Sequence, residues 1–190
     1  QKDYLKQVDE TTPDDLIERC RKGDNAAFDE VYHRFARPML NSSMRILNNL
    51  ADAEDMVQES FMEAFTKLDF FVRKDNFEGW LVRIAINKSL GLLRKRKFRW
   101  VDIELVYIKN SDEAEASDEE NDKNELSFES VQSAIEQLPD NYRIVFNLFA
   151  IDEVPQQEIA EMLNISHSNV RIIYHRAKNK LKEILSNENK

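Results

Sequence analysis

Three sets of residues in this chain have types and spacings that could do chemistry. In the run DAEDMVQESFMEAF at residues 52–65, Val57, Phe61 and the later Leu68 mark an apolar stripe. Asp55, Gln58, Glu59 and Met62 recur at offsets of three, four and seven on the other face. Carboxylates and an amide beside one adaptable thioether suit docking to a basic or mixed partner helix, although a solvated helix face carries the same pattern. In FEGWLVRIAINKSLGLLRKRK at residues 77–97, Arg83, Asn87 and Arg94 fall within about 40° of one another at about 100° per residue. Lys95, Lys97 and Arg99 extend the charge, with Phe98 and Trp100 interleaved, and the preceding FFVRKDN at residues 70–76 adds two aromatics and two cations. Cations that neutralise phosphates, next to aromatics that stack on unpaired bases, are what single-stranded nucleic acid requires. The plainer alternative keeps Phe70 or Phe71 and Trp80 in the core and makes the basic run a helix end that complements the dipole.

The third set lies in PQQEIAEMLNISHSNVRIIYHRAKNKL, residues 155–181, which has the anatomy of a helix-turn-helix. A short helix leads to a turn at Asn164, where a left-handed conformation is tolerable, and then to a longer helix capped by Ser166 or Ser168. Ala160 is small where the helices cross, Ile165 and Val170 pin the turn, and Val170, Ala177, Leu181 and Ile184 point inward. Asn169, Arg171, Ile172, His175, Arg176 and Lys178 are left facing outward, on the part of such a helix that enters a major groove. Any three-helix bundle can mimic this pattern.

Enzymatic chemistry has no comparable support. His33, His167 and His175 are scattered on helices, and no carboxylate pair sits in an apolar pattern. Cys20, the one cysteine, lies on a helical stripe and reads as core, so neither a disulfide nor a thiolate metal site can be built. The expectation is a non-enzyme with no catalytic residue, metal or cofactor.

The elements that must position these residues are helical. Glycine numbers 3, against about thirteen at the average usage of roughly 7%, which disfavours phosphate loops and turn-dense β folds. Thr12-Pro13-Asp14-Asp15 starts one helix and Gly23 stops it; Asp24 caps the next, whose Ala27, Phe28, Val31, Phe35 and Met39 form a stripe, with Pro38 predicting a kink or local break. A third helix begins at Asp52, and a capping-box-like Asp75…Glu78 starts a fourth through Trp80, Leu81, Ile84 and Ala85. Farther on, Phe128, Val131, Ile135 and Leu138 form a stripe ending at Pro139. Tyr142, Val145, Phe146 and Phe149 form another, and the two helices of the third set complete the chain.

The formal charge of -9 would argue against nucleic-acid binding if it were evenly spread, but it is not. Residues 1–100 carry 18 basic and 17 acidic side chains and residues 131–190 carry 7 and 8, whereas residues 101–130 carry 2 and 11. SDEAEASDEENDKNE, residues 111–125, holds eight carboxylates and no large apolar group, and reads as a disordered acidic linker. The expected fold is therefore all-α: two small helical domains, residues 1–100 and 128–190, joined by an acidic connector at 101–127. No apolar run approaches the roughly eighteen residues of a membrane span. Gln1-Lys2-Asp3-Tyr4 lacks signal-peptide character and an initiator Met, so the expectation is a trimmed chain that is cytoplasmic and does not insert in membrane.

Together these residues resemble the RNA polymerase sigma factors of the extracytoplasmic function (ECF) type. Four blocks carry the likeness in the family's order: LIERCRKGDNAAFDEVYHRF at 16–35, the 52–65 pattern, the 77–97 run, and LPDNYRIVFNLF at 138–149 followed by the helix-turn-helix. The resemblance implies a sigma-2-like domain, a linker that threads through the polymerase, and a sigma-4-like domain. It implies that Asp52, Asp55, Gln58, Glu59 and Met62 bind the polymerase core, whose β′ clamp helices and β subunit are the expected partners. It implies that Phe70, Phe71, Arg73, Lys74, Asn76, Arg83, Asn87, Arg94 and Arg96 recognise and melt the minus-ten promoter element. Ser168, Asn169, Arg171, Ile172, His175 and Arg176 would read the minus-thirty-five element. An anti-sigma factor is a further implied partner. Gly91 stands where many members carry Asp or Asn, and Ile173 where they often have Arg; the first puts a polar contact in doubt and the second removes an expected phosphate contact. The competing expectation is a freestanding helix-turn-helix regulator that acts without docking to polymerase.

Overall fold

The structure, a computed structural model, describes residues 12–72, 76–96 and 127–188. The chain divides into two compact units between Arg96 and Lys97, and every element among the described residues is helical. None of these helices is long and apolar enough to cross a membrane. The acidic connector up to residue 126, with Asp118, Glu119, Glu120 and Asp122, lies outside the described residues, as do Arg73, Lys74, Phe98 and Trp100.

The first unit holds α1 (Pro13–Arg21), α2 (Asn25–Leu47), α3 (Leu50–Thr66), a 3-10 turn (Leu68–Phe70) and α4 (Phe77–Lys95). Its helix ends are set by side chains. Thr12 Oγ1 accepts from Asp15 N–H at 3.2 Å, and Asp24 Oδ1 accepts from Ala26 N–H at 3.0 Å. Between α1 and α2 the chain turns through Gly23 at φ 79, a left-handed conformation that glycine adopts with no Cβ penalty. Asn48 ends α2 in the left-handed region (φ 50), and its neighbour Asn49 caps α3 by accepting from Asp52 N–H at 3.0 Å. The third helix therefore starts two residues before the expected Asp52. Asn76 caps α4 by accepting from Gly79 N–H at 3.2 Å, and Asp75 of the expected box lies outside the described residues. A Cβ at Gly79 would lie 3.3 Å from Asn76 Nδ2, so the glycine leaves room for that cap. Pro38 does not break α2, which continues across it with Phe35 and Met39 buried on either side. A proline deletes one backbone hydrogen bond, and burial of the flanking turns outweighs that loss.

The core of this unit gathers Leu16, Ile17 and Cys20 of α1, Ala27, Val31, Phe35 and Met39 of α2, Val57, Phe61 and Ala64 of α3, and Leu81 and Ala85 of α4. Phe28, Trp80 and Ile84 of the expected stripes are only half-buried against it. Phe77 meets Phe35 edge-on with centroids 5.4 Å apart and Phe71 at 5.1 Å. Burial pushes the Cys20 thiol up to about 11, as expected of an inert core cysteine.

The second unit holds α5 (Phe128–Glu136), α6 (Asp140–Phe146), a π-helical turn (Asn147–Ile151), α7 (Gln156–Leu163) and α8 (His167–Glu188). Its core is Ala134, Leu138, Ile144, Val145, Leu148, Val154, Ile159, Ala160, Leu163, Val170, Ile173 and Ala177. The aromatics of the expected stripes play other parts. Phe128 is exposed at the start of α5, and Phe146 and Phe149 are half-buried around Tyr174, with centroids 5.9 and 4.7 Å away. Ile144 and Leu148, four residues apart, join Val145 at the inward positions instead.

Candidate nucleic-acid and docking interfaces

On α3, Asp55, Gln58 and Glu59 are exposed, and Met62 is 71% exposed, so the outer face expected from spacing is a continuous surface row. Asp52 does not join that row freely. Its two carboxylate oxygens accept from the two terminal nitrogens of Arg96 at 2.5 and 2.7 Å, a two-pronged ion pair between the start of α3 and the end of α4. The Arg96 hydrogen bonds hold the Asp52 carboxyl below its usual range, and the same contact raises Arg96. A second ion-pair group ties the same helices: Lys88 lies 2.9 Å from Glu63 and 3.6 Å from Glu59, and Lys67 lies 2.6 Å from Glu63. Lys67, then Lys88, lowers Glu63 by hydrogen bonding, and Glu63 raises Lys88. Spacing within one helix offers only the Glu63–Lys67 pair, four residues apart, and says nothing of Lys88, so neither lysine was among the expected site residues.

Between α3 and α4 lies a cleft of about 460 Å³ lined by Met56, Glu59, Glu63 and Lys67 on one side and by Trp80, Asn87, Lys88, Gly91 and Lys95 on the other. Asn87 thus faces a groove that also holds three lysines and an indole. Arg83 is half-buried, and Arg94 and Arg96 are exposed. A Cβ at Gly91 would meet only an Arg94 nitrogen, at 3.9 Å, so packing does not demand a glycine there.

The loop before α4 separates two adjacent aromatics. Phe70 is 82% exposed, while Phe71 is 5% exposed and packs on Phe77 and Trp80 at 5.1 Å each. Phe71, expected at the DNA, has its ring in the core of the unit, and Phe70 is the exposed aromatic of the two. Asn76, also expected at the DNA, uses its Oδ1 to cap α4. Arg21, which sequence reasoning passed over, donates to the backbone oxygens of Leu68 and Phe71 at 3.0 and 2.9 Å and so holds the turn that presents Phe70. Its signal was only a basic residue in the last turn of a short helix, which on its own reads as a dipole partner.

In the second unit the helix-turn-helix forms as its spacing predicts. Asn164 adopts the left-handed conformation (φ 54), and Ile165 N–H donates to Ala160 O at 3.1 Å. Ser166, rather than Ser168, is the cap, accepting from Asn169 N–H at 3.1 Å. Ser168, Arg171 and His175 are exposed, and Asn169, Ile172 and Arg176 are half-buried. At about 100° per residue, Ser168, Arg171, Ile172 and His175 share one face, with Asn169 and Arg176 on its flank. Ile173 is 2% exposed and faces the core. That position therefore points away from any DNA on the recognition face, and the expected loss of a phosphate contact is corrected.

Comparison with known proteins covers both units. The family model of sigma-70 region 2 matches residues 31–99, and that of sigma-70 region 4 matches residues 128–181. The ECF RNA polymerase sigma factor SigW of Bacillus subtilis is 32% identical over 89% of this chain and 94% of its own length. The ECF RNA polymerase sigma-E factor of Escherichia coli K12 is 29% identical over 86% of this chain and 88% of its own. Among solved structures, CnrH in complex with the cytosolic domain of CnrY has a TM-score of 0.51 at 25% identity, covering 90% of this chain and 95% of that one. The sigma factor RpoE of Bartonella quintana, in complex with the anti-sigma factor NepR, has a TM-score of 0.53 at 21% identity, covering 84% and 96%, and shares the fold.

Proposed function

Because this chain belongs to the ECF family of RNA polymerase sigma factors, we propose a division of labour among its surfaces in promoter-directed transcription initiation. The chain associates with RNA polymerase and promoter DNA. The observation that carries the detailed reading is the coexistence in one chain of an exposed acid-amide-methionine row on α3, a cation-lined α4 and a helix-turn-helix with an open recognition face. Residues 1–100 act as the sigma-2-like domain, 101–127 as the connector and 128–190 as the sigma-4-like domain.

In this reading Asp55, Gln58, Glu59 and Met62 meet the β′ clamp helices, with Met62 supplying the central apolar contact. Phe70 stacks on an unpaired base of the minus-ten element while Arg83, Asn87 and Arg94 guide the melted strand. Unstacking bases costs a few kcal/mol, which those contacts offset. Ser168, Arg171, Ile172 and His175 read the minus-thirty-five element in the major groove, flanked by Asn169 and Arg176. The role is regulatory rather than catalytic, and it is exercised in the cytoplasm, where polymerase and DNA are. An anti-sigma factor that covers the Met62 row completes the set of partners.

The experiment is reconstitution with core RNA polymerase. The purified chain should co-elute with core, and sequencing of the transcript starts should reveal shared elements near minus ten and minus thirty-five. A chain that shifts duplex DNA tightly alone and forms no core complex would instead be a freestanding regulator.

A further inference from the structure

On the reading just given, we infer that Asp52 is an intramolecular stand-in for a DNA phosphate, which occupies Arg96 until the docking helix engages polymerase. Asp52 is the third residue of α3, its N–H held by Asn49, and its side chain is only 18% exposed, so the carboxylate is fixed by a capped helix start. Arg96 sits just past the end of α4 with its side chain 54% exposed, and it reaches Asp52 across 44 residues of sequence. The planar carboxylate offers two oxygens to two guanidinium nitrogens, as a phosphate does. Bound this way, Arg96 belongs to a neutral pair and adds little to phosphate attraction.

The other α3–α4 ion pairs are built differently. Lys88 has two carboxylates, Glu63 at 2.9 Å and Glu59 at 3.6 Å, so removing one leaves it paired. Arg96 has Asp52 as its one ion-pair partner among the described residues, so a single event frees it. Asp52 begins the helix that carries Asp55, Gln58, Glu59 and Met62, and a cationic partner helix laid along that row competes with Arg96 for its carboxylate. Docking then exposes one more cation to the melted strand, which makes strand binding by α4 conditional on polymerase.

The test uses the full chain and a fluorescein-labelled 20-nucleotide single strand of random sequence, followed by anisotropy across a KCl series. Asp52→Asn should tighten binding by the free chain about fivefold at 0.1 M salt and steepen the salt slope by about 0.7, the value of one added phosphate contact on a single strand. Arg96→Ala alone strands the Asp52 carboxylate and should not tighten free-chain binding, and the double variant should return to the parent value. With core polymerase bound, parent and Asp52→Asn should converge. The inference is overturned if Asp52→Asn leaves affinity and slope unchanged, if the double variant binds as tightly as Asp52→Asn, or if the difference persists in a core complex. Thermal melts confirm folding, and Asp52→Ser gives the same readout should Asp52→Asn fail to fold. Failure of the parent chain to bind core at all would overturn the sigma-factor reading instead, a result gel filtration reports separately.

Discussion

On α4, Arg96 and Lys88 lie against carboxylates of α3, whereas on α8, Arg171 and Arg176 have no ion-pair partner among the described residues. Both helices are expected to meet DNA, yet one is electrostatically answered within its own unit and the other is open. The difference follows from neighbours. α4 packs beside a helix whose outward row is acidic, while the exposed Ser168, Arg171 and His175 of α8 lie on a face with no carboxylate paired to its arginines among the described residues. A helix-turn-helix must read duplex DNA from a preformed face. A melting helix gains selectivity when its cations are released only after the enzyme is in place.

The largest expected effect tests whether the open face of α8 is correctly oriented. Ile173→Arg puts a guanidinium into the core and should destabilise the second unit by about 3 kcal/mol or more, seen as an early transition in calorimetry with the first unit's transition unmoved. An unchanged melt would place residue 173 at the surface. Next, Phe71→Ala should cost about 3–5 kcal/mol in the first unit. Phe70→Ala should leave the melting temperature alone and impair promoter opening, scored by permanganate footprinting. Equal effects of the two on stability would erase the distinction between them. Arg171→Ala should weaken holoenzyme binding to a minus-thirty-five duplex by about 1–3 kcal/mol without altering single-strand binding.

The smallest effect concerns pH. The folded carboxyls of Asp52 and Glu63 are held below their ordinary range by Arg96 and by Lys67 and Lys88. A depressed folded value gives stability that is fully present above the unfolded value and is lost as pH falls through the folded one. The first unit should therefore lose stability in that acid window, by a small amount because Arg96 and Lys67 hold their ends of the pairs in solvent, which screens them. Thermal melts of Asp52→Asn and the parent should converge there.

Helix number and the helix-turn-helix were legible because local chemistry sets them: Thr12, Asp24 and Ser166 cap, Gly23 and Asn164 turn, and Val57, Phe61 and Ala64 recur with the helical repeat. The exposed row of Asp55, Gln58, Glu59 and Met62 was legible for the same reason. Phe128 and Ile173 were misread because periodicity was extended past the end of the packed surface in one case and taken from family habit in the other. The ECF assignment likewise came from residue order along the chain.

What the sequence by itself determined, then, is most of what depends on neighbours within about one helical turn, the elements, several caps and the face of α3, together with the family through the order of its blocks. The tertiary structure alone decided which of Phe70 and Phe71 is available to a base, that Arg21 holds the turn bearing Phe70, and that Asp52 is joined to Arg96. Those outcomes depend on which helix lies beside which and at what register. Contacts between residues 44 to 50 positions apart come from packing of side-chain volumes, for which no local period exists.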